Sequence, residues 1–205
     1  MRDYDGKTAA QRIAERRARL IDAGQELFGK HGYAGTSIRA VLRESGLRDR
    51  YFGENFPDLD SLLAAVYDRL IDEQLVATRA AIDAAAGPTD AARAMIETIS
   101  GLLENSPGGA RIKLREALSA GPVSRSHRQQ GLHQLAELVA ELMPVTAAHS
   151  DQDRLLLGMG IVAAADAYLL GWLNGEAGLT RERVVDLVTT LFDSVVANLT
   201  LTPTG

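Results

Sequence analysis

Apolar positions recur at helical spacing along most of the chain and nowhere alternate with the two-residue rhythm of a strand. The most informative stretch covers residues 36–56, TSIRAVLRESGLRDRYFGENF. Ile38, Val41 and Leu42 stand there at i, i+3 and i+4 and predict one inward stripe of a short helix. Thr36 is placed where a hydroxyl caps the orphan N–H groups of that helix. Ser45-Gly46-Leu47 interrupts the pattern, and glycine accepts the positive φ that a tight turn between crossing helices needs. Leu47, Phe52 and Phe56 then anchor a second short helix. Arg48, Asp49, Arg50 and Tyr51 lie among them, too polar to be buried together, and therefore face outward. That is the layout of a helix-turn-helix, in which guanidinium and phenol groups meet phosphates and base edges of DNA.

The same periodicity divides the rest. A first helix over about 9–31 carries Leu20, Gly24, Leu27 and Phe28 on one stripe, and its small Gly24 permits close packing. A fourth helix, about 58–85, opens at an Asp58 cap and keeps Leu59, Leu62, Leu63, Val66, Leu70 and Ile71 on one side. Gly87-Pro88-Thr89 ends it, because proline cannot continue the backbone ladder. Later breakers fall at 105–109, 121–123, 143–150 and 175–180. The expected fold is all-α, about nine helices, with a head at residues 1–57 and a helical body at 58–205. Residues 1–12 are read as a flexible arm whose Arg2, Lys7 and Arg12 reach toward a backbone or minor groove.

Charge sharpens this division. The whole chain of 205 residues carries −5, yet residues 1–55 hold 11 basic against 8 acidic side chains and the remainder 11 against 19. A head at +3 and a body at −8 can turn the head toward a polyanion while the body is repelled. The absence of cysteine excludes disulfides and thiolate chemistry and agrees with a reducing cytoplasm. The polar start, MRDYDGK, is unlike a signal peptide.

Upstream and downstream of the helix-turn-helix, Arg16, Arg17, Leu20, Ile21, Leu27, Phe28, Gly32 and Tyr33, then Phe56-Pro57-Asp58, Asp60, Leu62 and Leu63, form a gapless pattern over about 16–67. It resembles the tetracycline-repressor-like (TetR) family of bacterial regulators. The resemblance implies a homodimeric repressor released from an inverted-repeat operator by a small molecule, with the fourth helix as lever between ligand pocket and head. It also implies roles for residues: Arg48, Asp49, Arg50 and Tyr51 at bases or phosphates, Thr36, Ser37 and Arg39 in backbone positioning, Arg16 and Arg17 in electrostatic support. Two positions depart from the family pattern. Gly53 and Leu59 stand where a tyrosine and a lysine usually contact phosphate.

In the body, residues 155–173 are apolar and long enough to suggest a membrane span, but Asp166 sits in the middle with no basic residue near it in sequence, and small residues crowd one part, so a buried helix is expected. The last helix, about 180–201, shows apolar side chains on more than one face. Two such helices predict a four-helix dimer interface, with Met159, Val162, Val184, Val188, Leu191 and Val195 as its candidate residues. Met95, Ile99, Leu103, Leu118, Met159, Tyr168 and Trp172, with Arg115 and Asp166 as polar positions, are candidate walls of an effector pocket, although such residues at helical spacing are more often plain core. His133 and Glu137 at i, i+4 lack a third metal ligand, and no nucleophile, acid–base set or cofactor fingerprint is present. Neither an enzyme nor a metal or cofactor protein is expected. The competing reading is a helical small-molecule binding protein whose head has lost operator recognition.

Overall fold

Thr8 starts the first helix by accepting the N–H of Gln11 at 3.1 Å while the Gln11 side chain accepts the N–H of Thr8 at 2.7 Å, a reciprocal cap. The computed structural model, which describes residues 8–147 and 149–200, is all-α over the described residues. The elements are α1 (Ala9–His31), α2 (Ile38–Ser45), α3 (Arg50–Gly53), α4 (Leu59–Asp83), α5 (Pro88–Asn105), α6 (Pro107–Arg111), a π-helical turn (Ile112–Glu116), α7 (Ala117–Ser119), α8 (Pro122–Glu141), α9 (Asp151–Leu173) and α10 (Arg181–Thr200). Taking the continuous stretch 107–119 as one helix gives the nine expected. Arg12 lies on α1 rather than in an arm, because the Thr8 cap starts the helix upstream of it; Arg2 and Lys7 lie outside the described residues.

Two compact units form by contact among the described residues: 8–70 together with Pro107–Arg128, and Ile71–Ser106 together with 129–147 and 149–200. In the first, Leu20, Phe28, Val41, Phe52, Phe56, Leu62, Leu63, Val66 and Ile112 form one buried cluster. Residues 107–128, placed with the body by sequence, pack in this unit for visible reasons. Gly29 of α1 and Gly108 of α6 meet backbone to backbone: a Cβ on Gly29 would lie 2.9 Å from the Gly108 Cα. Glu116 accepts the N–H of Tyr33 at 2.7 Å and the Nε–H of Arg111 at 2.8 Å. The buried carboxylate of Asp60 accepts the N–H groups of Val123 (2.9 Å) and Ser124 (3.1 Å) at the start of α8.

In the second unit α10 packs on α5 and α9. Arg93 pairs with Asp186 at 2.8 Å, the Thr89 hydroxyl donates to Asp193 at 2.7 Å, and Arg181 donates to the Ser100 hydroxyl at 3.1 Å. Ser150 and Asp153 cap α9 reciprocally. Met95, Ile99, Leu103, Leu135, Val184, Val188 and Phe192 are buried in this unit.

Candidate nucleic-acid interface

The turn between α2 and α3 follows from Gly46. Its φ of +63° is left-handed, its N–H donates to the Arg43 carbonyl, and the N–H of Leu47 reaches back to the Leu42 carbonyl at 3.1 Å. Val41, Leu42, Phe52 and Phe56 are buried, as their spacing predicts, whereas Ile38 is 37% exposed and leaves the stripe. The cap of α2 is Ser37, whose hydroxyl accepts the N–H of Ala40 at 3.2 Å. Thr36, expected as the cap and as a DNA-facing residue, is buried, and its hydroxyl donates to the Gly32 carbonyl at 2.8 Å.

Ser37, Arg39, Arg48, Asp49 and Arg50 are exposed. Arg16 and Tyr51 are half-buried, and Arg17 is exposed but engaged. The Arg16 guanidinium carbon lies 4.6 Å from the centre of the Tyr51 ring; that of Arg50 lies 4.6 Å from the same ring and one of its nitrogens donates to the phenol at 2.6 Å. That hydrogen bond, reinforced by the charges of Arg50 and Arg16, holds the Tyr51 phenol below the usual tyrosine value. The Arg17 guanidinium sits 4.4 Å from the Phe56 ring centre and donates to the Asn55 carbonyl at 3.2 Å. Arg19 donates to the Ser45 carbonyl.

The two departures from the resemblance have physical readings. Leu59 packs against the core of the first unit, so this position supports the fold. Gly53 ends α3, a helix of four residues, and a Cβ built there meets nothing within 4 Å. Its φ is not among the positive ones. Gly53→Ala is therefore expected to raise the stability of this segment by about 0.5–1 kcal/mol through the unfolded chain's lost freedom; slower amide exchange over 50–56 is the measurement, and faster exchange would contradict it.

The body residues separate into groups. Met95, Ile99 and Leu103 are buried on α5, and Asp166, Tyr168 and Trp172 are half-buried on α9. Arg115 and Leu118 are exposed in the first unit and Met159 is exposed on α9, so these three do not line an interior. Among the candidate pairing residues Val162 of α9 and Val184 and Val188 of α10 lie in the chain's own core, where α10 packs on α9 and α5; Leu191 and Val195 are half-buried and Met159 is open. A pocket of about 330 Å³ in the second unit is lined by His149, Leu157, Ser194, Val195, Asn198 and Leu199. His133 and Glu137 approach to 3.7 Å, and no group of three metal-ligating side chains occurs among the described residues.

Among the described helices α9 alone is long and apolar enough to cross a membrane by length and composition. Only 28% of its apolar window is buried within the chain, so it is not the buried helix that the sequence leads one to expect.

These features define an all-α helix-turn-helix protein with a cationic reading face. The family model for bacterial regulatory proteins of the tetR family matches residues 20–66. A helix-turn-helix-type transcriptional regulator of Haemophilus influenzae is 24% identical over 186 residues, 88% of this chain and 89% of that protein. The crystal structure of a transcriptional regulator from Pseudomonas aeruginosa PAO1 shares the fold at a TM-score of 0.74 and 21% identity, covering 93% of this chain and 97% of that one. The multidrug binding protein EbrR, solved with imidazole, shares it at 0.70 and 21% identity, covering 92% and 97%. Residues 20–66 thus carry the tetR-family pattern, and the fold is the one these solved structures share.

Proposed function

We propose that this protein is a ligand-responsive transcriptional regulator of the bacterial cytoplasm. As a homodimer it holds an inverted-repeat operator through its helix-turn-helix heads and leaves it when a small molecule binds the second unit. The single observation that carries the reading is the group of exposed Arg48 and Arg50 with half-buried Tyr51, at the start of a helix docked behind a glycine turn in a family-matched head. Arg50 is the base-reading candidate, since its guanidinium is exposed at the start of α3 and is aimed by the Tyr51 phenol.

Pairing is supported by α9. Leu156, Met159, Gly160, Ala163 and Ala167 form an exposed stripe at i, i+3, i+4, i+7 and i+11, and the small residues let a second helix approach closely. Effector binding is supported by a resemblance to regulators that bind small molecules and by the apolar interior of α5 with Met95, Ile99 and Leu103. A ligand that prefers one arrangement of the paired chains by a few kcal/mol changes operator occupancy on the order of a hundredfold.

Selection of random duplexes on the purified protein tests the reading. An enriched palindrome is the expected result; salt-sensitive binding without enrichment would favour the small-molecule binding protein with a silent head. On the selected operator, Arg50→Ala is expected to weaken binding by about 1–3 kcal/mol per half-site and to spare affinity for unrelated duplex. Equal losses on both would move Arg50 to the phosphate contacts.

A further inference from the structure

The reading helix α3 has four residues, a single turn that cannot sustain itself, and its preceding residue Asp49 makes no side-chain cap. Its docking therefore comes from outside. Phe52 and Phe56 fix it from beneath. On its flank, consecutive residues of α1 point about 100° apart, and the two that face this flank are both arginines. Arg16 lies over the Tyr51 ring, on the first turn of α3. Arg17 lies over the Phe56 ring and donates to the Asn55 carbonyl, just past the helix end. Arg16 Nε is buried and has no hydrogen-bond partner, so the contact that holds this guanidinium is the Tyr51 ring.

We infer that Arg16 and Arg17 act as a clasp that docks the reading helix on α1 through Tyr51, Phe56 and the Asn55 carbonyl, and not as grips on the DNA backbone. This rests on the DNA-binding reading for its consequence, though the clasp is a property of the free protein. A guanidinium stacked on a ring and tied to a carbonyl reaches a phosphate only by releasing α3. The clasp also requires a planar, forked cation. Lysine keeps the charge but loses both the stacking and the directed donor. Arg16 and Arg17 are thereby positioning residues: Arg16 aims Arg50 by fixing the ring that holds it, and Arg17 fixes the chain just past the helix end.

Charge-conserving and charge-removing variants separate the two roles. In Arg16→Lys and Arg17→Lys, amide exchange over residues 50–56 is expected to accelerate severalfold and affinity for the selected operator to fall about tenfold. The slope of log affinity against log salt on unrelated duplex should stay at the wild-type value. In Arg16→Gln, the Tyr51 phenol, followed by NMR of labelled tyrosine, should titrate at higher pH than in the parent. Arg48→Ala serves as the contrast and should lower the salt slope by about one. Lysine variants with parental exchange and affinity, or Arg16→Gln and Arg17→Gln each lowering the slope by about one without faster exchange, would overturn the clasp. Should the parent protein bind no duplex at all, the regulator reading fails, and exchange and tyrosine titration still decide the clasp.

Discussion

Replacing Asp60 with alanine is expected to destabilise the first unit by about 2–3 kcal/mol, because one buried and one half-buried N–H group lose their acceptor together. The geometry makes Asp60 a helix cap supplied from 63 residues away. α8 begins at Pro122, which has no N–H, so Val123 and Ser124 carry the first orphan donors, and both point at the Asp60 carboxylate. The residue that would normally cap them is Gly121, which has no side chain, and a Cβ built there would fall on that carboxylate. Asp60 fills the space of the missing cap and adds a negative charge at the positive end of the α8 dipole. Asp60→Asn keeps one acceptor and gives up the charge, so about half the loss is expected. Urea unfolding followed by circular dichroism, with amide exchange of Val123 and Ser124 to localise the effect, is the measurement. A loss under about 0.5 kcal/mol in Asp60→Ala would mean that water satisfies these donors and that the contact is incidental.

A glutamate at Ala163 is expected to halve the mass seen in sedimentation and to weaken the selected operator by at least about a hundredfold. Ala163 lies mid-stripe on the exposed apolar face of α9, where Gly160 and Ala167 flank it at close helical spacing. In the proposed pairing a carboxylate there would face its symmetry mate across a two-fold axis, and two like charges in an apolar seam are strongly unfavourable. The operator then loses the gain from two linked heads, since each half-site is bound alone. A dimer that persists with unchanged operator affinity would place the pairing surface elsewhere in the body.

The helix-turn-helix was legible because its determinants are local. Val41, Leu42, Phe52 and Phe56 reveal themselves by spacing, and Gly46 by the backbone conformation that only glycine adopts readily. The cap was misplaced by one residue because Thr36 and Ser37 both carry hydroxyls, and only the fold shows that the threonine's is spent on the Gly32 carbonyl. Asp60 was legible as part of a family pattern but not as the cap of α8, since nothing in GPVS names a partner so far back in the chain. The pairing residues were read too broadly for a related reason. A helix apolar on two sides does not say which side its own chain covers, and α10 gives Val184 and Val188 to its own core while Leu191 and Val195 remain partly open. Arg16 and Arg17 looked like free charge on a basic helix; their rings and carbonyl lie on another element.

The π-helical turn at Ile112–Glu116 sets the angular position of the carboxylate that holds the Tyr33 amide. A wide turn of this kind holds one more residue than an α-helix would. Rewinding these same residues as an ordinary α-helix, at about 100° per residue, would rotate everything beyond them by roughly a quarter-turn, swinging Glu116 away from both the loop after α1 and Arg111. The wider winding thus keeps two distant pieces of chain in phase: the extra residue is absorbed locally, and the carboxylate beyond it still meets the Tyr33 amide.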